Sequence, residues 1–155
     1  GISTNPDVDT EDGCYLFDDT DVEIVFGQAQ MPHKWRLGSP IHPHIHWQTD
    51  GVEDPNTGDA VWLLETKAAS INGDFPATWT ERLLTAASRE NNLKHLIDNF
   101  ASRDMWPHGI SAMVKWRLSR VSDDVGDTYV GDAKLLEFDL HYEIDSVGSG
   151  QEYRK

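Results

Sequence analysis

The chain has 155 residues, 38% of them apolar, and a formal net charge of −14. A length of this order is that of one domain with a sizeable core, while the charge argues against nucleic acid or an anionic membrane as ligand, since both need clustered Lys and Arg. The single cysteine, Cys14, excludes an intrachain disulfide and a Cys-based zinc site.

Residues 1–13 (GISTNPDVDTEDG) form a polar, acidic arm without periodicity. An arm of this composition is disordered alone and becomes ordered by lying on something else, here expected to be a neighbouring subunit. Residues 14–148 are expected to make one β-domain, and 149–155 a polar tail. Val22-Glu23-Ile24-Val25-Phe26 alternates and runs on to Gln30 as a strand. Residues 31–35 read as a corner and Gly38-Ser39-Pro40 as a turn. A histidine-rich strand follows, to Thr49. Asp50 to Asp59 is a loop dense in turn residues. Ala60 to Ser70 is a strand with Val61 and Leu63 on one face and Trp62 and Leu64 on the other, closed by the turn Asn72-Gly73-Asp74. Residues 79–88 and 93–100 suit short helices by propensity; both are read as strands. Arg103 to Gly109 is a loop. Ile110, Ala112, Val114, Trp116 and Leu118 alternate with polar neighbours, as do Leu136, Phe138, Leu140, Tyr142 and Ile144, with the period of a strand. Residues 122–132 form the loop between them. About eight strands with turn signals between them, and no internal repeat, predict an all-β, single-domain β-sandwich of jelly-roll type.

The segment Ile41-His42-Pro43-His44-Ile45-His46-Trp47 is the most informative. Three of the seven histidines stand there at alternate positions. In a strand they share one face, and Ile41, Pro43, Ile45 and Trp47 take the other. Alternate residues are ~6.6–6.8 Å apart, so neighbouring imidazoles can tilt onto one ion at the ~2.0–2.1 Å of a Zn–N bond. Three span ~13 Å and cannot share one ion without bending the strand. A mononuclear site would pair His42 with His44 or His44 with His46 and add one or two ligands, for which His141, Glu137, Glu143, His33 and His108 are candidates. In a trimer, one histidine from each chain could instead meet on the three-fold axis and staple the subunits. The simplest reading is a hydrogen-bonded polar strip facing water, the acidic strand or a neighbour; a proton switch is a further alternative.

Glu137, Asp139, Glu143 and Asp145 form an acidic face, readable as a cation site or as the acids of a glycosidase. A solvated face is the plainer expectation, with Lys115, Arg117 and Arg120 pairing to it across strands. The carboxylates of residues 50–59, and Asp123, Asp124 and Asp127, could hold calcium but lack EF-hand spacing, and are read as surface loops. Six tryptophans are many for this length, and large aromatics anchor interfaces. Trp47 and Trp116 fall on apolar faces and read as core. Trp35, Trp79 and Trp106, with His108, lie near corners or loops and are the candidates for ligand or subunit contact. Cys14, beside Tyr15 and Leu16, reads as buried packing. No stretch approaches the ~20 apolar residues of a membrane span. No signal segment opens the chain, and its start Gly1-Ile2-Ser3 is expected of a processed product. No nucleophile elbow, phosphate loop or HExxH motif is present.

The run Gln30-Met31-Pro32-His33-Lys34-Trp35, Gly38 and then Ile41 to Trp47 resembles a set of small tailed-bacteriophage and prophage proteins of unassigned role. The resemblance continues at Val61-Trp62-Leu63-Leu64-Glu65, Gly73-Asp74-Phe75-Pro76, Asp127-Thr128-Tyr129, Leu135 to Tyr142 and Ser149-Gly150-Gln151-Glu152. It implies a virion component and carries over no catalytic or binding residue. The expectation is therefore a non-enzymatic structural protein of a tailed-phage virion. It would be a capsid decoration or cement protein working as a homo-oligomer, most readily a trimer, on partners such as the major capsid protein. No cofactor is expected beyond a structural transition metal at His42, His44 and His46, with His141 as a further ligand. Two rivals stay open: a fibre or tail-associated module binding host glycans through loop tryptophans, and a cupin-like metal-dependent enzyme using a histidine pair.

Overall fold

The computed structural model describes residues 4–51, 57–89, 93–102 and 109–151. These contain strands and turns and no helix. The strands are β1 (Asp7–Val8), β2 (Tyr15–Phe17), β3 (Glu23–Gln30), β4 (Ile41–Thr49), β5 (Asp59–Ala69), β6 (Thr80–Ala87), β7 (Leu96–Asn99), β8 (Met113–Arg120) and β9 (Ala133–Tyr142). The two segments of ambiguous propensity are the strands β6 and β7. Both lie against strands that bury their apolar side chains, and tertiary pairing overrides local preference there.

Two antiparallel sheets result, in the orders β1-β2-β9-β4-β7 and β3-β8-β5-β6. Leaving β1 aside, the chain is a long ribbon folded back on itself. β2 pairs with β9, β3 with β8, β4 with β7 and β5 with β6, and successive pairs fall alternately in the two sheets. That winding is the jelly roll.

The core lies between the sheets. Trp47 of β4 and Trp62 of β5 meet edge to face with ring centroids 6.2 Å apart, and Phe17 of β2 meets Trp62 at 5.1 Å. Leu64, Leu118 and Ile45 are fully buried around them. A second cluster closes one end, where Trp35 is fully buried with Met31, Ile41 and Val114. Trp35, expected at an exposed corner, is therefore core. Its turn folds inward because its backbone bridges Ile144 and the Arg36 amide donates to the Glu143 carbonyl.

Arg120 is wholly buried. It donates to both oxygens of Asp127, at 3.0 and 2.8 Å, and to the carbonyls of Phe17, Tyr129 and Gly131. The expected cross-strand pairing of Lys115, Arg117 and Arg120 with the acidic strand does not occur, because β8 and β9 belong to opposite sheets. Arg117 instead grips Glu65 with two nitrogens. Of the loop carboxylates considered for calcium, Asp127 holds Arg120, Asp50 accepts from the Tyr129 hydroxyl at 2.8 Å and the Asp132 amide at 3.0 Å, and Glu53 and Asp54 lie outside the described residues.

The acidic arm also departs from expectation. Its described part lies on its own chain. β1 and β2 form a hairpin across the expected boundary at residue 13, Thr4 bridges Glu23, and Lys134 reaches Asp9 at 2.5 Å and Asp12 at 3.0 Å. Cys14, in that hairpin, is half-buried rather than buried. Ser149, at the start of the tail, is tied to the corner by His33 Nδ1 at 3.2 Å.

Candidate functional site

β4 runs between β9 and β7. Its apolar face, Ile41, Pro43, Ile45 and Trp47, is buried against the opposite sheet, so His42, His44 and His46 stand on the outer face. The pairing register sets His42 opposite His141, His44 opposite Asp139 and His46 opposite Glu137. Directly opposed side chains in an antiparallel pair have Cβ atoms ~4.5–5.5 Å apart. The histidine strip and the acidic strip therefore merge into one mixed patch.

Burial within the patch is uneven. His44 is 3% exposed, His46 is half-buried, and His42 and His141 are open to solvent. The atoms that converge are His44 Nε2, His46 Nε2 and the Asp139 carboxylate. The two nitrogens are 3.1 Å apart, His44 Nε2 is 2.7 Å from Asp139 Oδ1, and His46 Nε2 is 3.6 Å from Asp139 Oδ2. His141 Nε2 lies 3.8 Å from Asp139 Oδ1, and its ring meets that of His44 edge-on at 4.2 Å. On the far side His46 Nδ1 contacts His95 Nε2 at 2.6 Å, with the rings stacked.

Burial pushes the His44 imidazole below its ordinary pKa of 6.5. Asp139 opposes the shift, and the neighbouring His141 and His46 add to it. The shift favours the neutral imidazole, the form whose ring nitrogen can bind a metal.

Of the expected ligands, the structure brings together His44 and His141 around Asp139, and His46 and Glu137 around the same carboxylate. His42 projects into solvent opposite His141. Glu143 pairs with Arg36 at 2.8 Å, and His33 is engaged by Ser111 Oγ at 2.6 Å, so neither joins the patch. Asp139 belongs to the acidic strand that the histidine strip is expected to face, but only the β4–β9 register singles it out as the carboxylate beside His44. His95 carried no signal, since it lies in the connection ahead of β7 and meets His46 through the fold. His108 and Trp106 lie outside the described residues. The imidazoles stand outside the sandwich, so a reaction chamber between the sheets, which the cupin-like alternative needs, is not formed by them.

The opposite sheet has its own distinctive outer face. Ile24 of β3, Ser119 of β8, Leu63 of β5 and Leu83 of β6 stand in one row across it, and Phe26, Arg117, Glu65 and Glu81 in the next. Phe26 is 65% and Leu83 60% exposed. Trp79 lies over this face, with Lys67 Nζ 4.7 Å and the Arg117 guanidinium 4.8 Å from its ring centre. Of the described tryptophans singled out for contacts, Trp35 is buried and Trp79 lies at a surface.

The molecule is thus a jelly-roll sandwich with an imidazole–carboxylate patch on one outer face and an apolar band on the other. No family model and no curated protein matches the chain. Among solved structures it is similar to TmCBM61 in complex with β-1,4-galactotriose, at 8% identity and a TM-score of 0.42, over 84% of this chain and 69% of that one.

Proposed function

We propose that this chain is a non-enzymatic structural subunit of a tailed-phage virion, a capsid decoration or cement protein that works as a homo-oligomer. The resemblance of its sequence to small phage and prophage proteins supports the virion assignment. The observation that carries self-association is the apolar band on the β3-β8-β5-β6 sheet. With a net charge of −14, two copies repel unless they meet where the surface is locally neutral. The band is closer to neutral than the rest of the surface: Arg117 and Glu65 cancel as a bidentate pair, Glu81 beside them is offset by Lys67 on the same face, and Phe26, Leu83, Ile24 and Leu63 adjoin them. Trp79, held between two cations, is the type of rigid aromatic that anchors interfaces.

Sedimentation of the purified chain tests the contact. An oligomer is expected, and Phe26→Asp with Leu83→Asp is expected to yield a folded monomer. A wild-type chain that stays monomeric at high concentration overturns the proposal. Mass spectrometry of intact particles tests the location, with the chain expected in shell-like copy number; its absence from particles removes the virion assignment.

A second reading, a fibre or tail-associated module that binds host glycans, is favoured by a cleft of about 380 Å³ beside β3. Trp116, Phe138 and Tyr142 supply aromatic surface there, and Gln28 and Gln30 supply amides. Apolar walls with a few polar groups suit a small organic ligand. Tryptophan fluorescence during oligosaccharide titration tests it, and an unchanged signal with every sugar rejects it.

A further inference from the structure

We propose that His44, His46 and Asp139, with His141 completing the set, bind one divalent transition-metal ion of the zinc class on the outer face of the β1-β2-β9-β4-β7 sheet. Donor atoms bound tetrahedrally at ~2.0–2.1 Å lie about 3.3 Å from one another. The two imidazole nitrogens are 3.1 Å apart, and the Asp139 carboxylate offers one oxygen to each, Oδ1 at 2.7 Å from His44 and Oδ2 at 3.6 Å from His46. His141 is 72% exposed at its side chain and already 3.8 Å from Asp139. A rotation of this free ring brings it to the fourth position.

Two further observations point to a cation. Asp139 Oδ1 is buried and makes no hydrogen bond of normal geometry, although His44 Nε2 is 2.7 Å away. A buried carboxylate oxygen without a hydrogen bond is costly, and an ion shared with the imidazole would satisfy both atoms. His46 is oriented from behind, since its Nδ1 contacts His95 Nε2 at 2.6 Å. A second ring nitrogen held in this way is the usual outer support of a metal-bound histidine. Three imidazoles and one carboxylate select zinc, cobalt, nickel or copper over magnesium and calcium, which prefer all-oxygen sets. The acidic chain raises the local cation concentration. All four ligands come from one chain, so the site is independent of self-association. Its ion would pin β4 to β9, the two strands on which most of the sheet hangs.

The test is metal titration of the whole purified chain after chelator treatment. Binding of one zinc per chain is expected, with a rise in melting temperature that calcium and magnesium do not reproduce. Cobalt in place of zinc is expected to give the intense visible bands of a tetrahedral centre. His46→Ala and Asp139→Asn should abolish binding while the far-ultraviolet spectrum stays native. His95→Ala should weaken it by about 10–100-fold, and His42→Ala should leave it unchanged. Failure to bind zinc or cobalt at micromolar concentration overturns the proposal. So does a stoichiometry of one ion per three chains, or a loss in His42→Ala equal to that in His46→Ala.

Discussion

Single residues fix two of the tightest points in this molecule. The carboxylate of Asp127 is 2% exposed and its charge is answered by Arg120. Arg120→Met strands that charge in the interior, at a cost of about 3–5 kcal/mol. Adding Asp127→Asn should return part of the loss, and urea midpoints of the single and double variants check this. Gly27 acts by what it lacks. A Cβ there would stand 2.0 Å from the Trp116 ring. Gly27→Ala must push Trp116 off Phe138, whose ring centroid is 4.7 Å away, and overpacking of this kind costs ~1–3 kcal/mol. A lower melting temperature with a changed tryptophan emission is the expected outcome. Residue-level roles of this sort were poorly legible in the sequence. Arg120 and Asp127 are close along the chain, but nothing local says that both are buried. Trp47 was legible as core because its neighbours alternate; Trp35 was not, because a corner has no period to read.

At the scale of elements, the histidine strand was legible to its ends, and the last strand only in part. The alternation from Leu136 onward is clear, yet β9 begins at Ala133 in the opposite phase. Ala133 and Leu135 point inward, then Phe138 and Leu140 do, because Leu136 is an extra residue where the pairing steps from Trp47–Leu135 to His46–Glu137. No residue type announces such a bulge. Deleting Leu136 should remove the bulge and leave a regular ladder, with Leu135 still opposite Trp47, Glu137 still opposite His46, and Phe138 and Leu140 still inward. Retention of cooperative unfolding in the deletion variant is the expected result. The arm gives a pH prediction. Its hydrogen bond from Lys134 holds the Asp9 carboxyl below the ordinary 3.8, and the Cys14 amide, then Lys134, does the same for Asp12. Asp9 first, and Asp12 with it, raises Lys134 above 10.5. Lowered carboxyl values support docking above 3.8 and release it as pH falls further. The raised lysine supports docking below 10.5 and withdraws it as pH climbs through its higher folded value. Hydrogen exchange at the Asp9 and Gly13 amides, which bond to Cys14 and Asp9 carbonyls, should lose protection in acid, and Lys134→Ala should weaken that dependence, leaving the part that rests on the Glu11 and Cys14 amides.

For the whole molecule, the fold class was legible because short alternating segments separated by turns leave few architectures. The strand order was not, since a contact such as His44 to Asp139 joins residues far apart in the chain and leaves no local mark. The candidate site shares that fate: its histidines were visible in one segment, its carboxylate only in the register. Global charge yields a further prediction. Added salt screens the repulsion between copies carrying −14 each, so self-association through the apolar band should strengthen from low to moderate salt. Sedimentation across that range checks it, and weakening with salt would mean that the contact is ionic instead.

The ribbon pairing also bears on how the molecule comes into being. β9 fills the gap between β2 and β4, with Phe17 opposite Ala133 and His44 opposite Asp139. During synthesis both earlier strands must wait, edges bare, until the last long strand leaves the ribosome. Such distant pairings are slow to close. The nascent chain therefore passes through a stage in which two strand edges face the cytosol together, and a chaperone that shields them should raise the yield of folded protein.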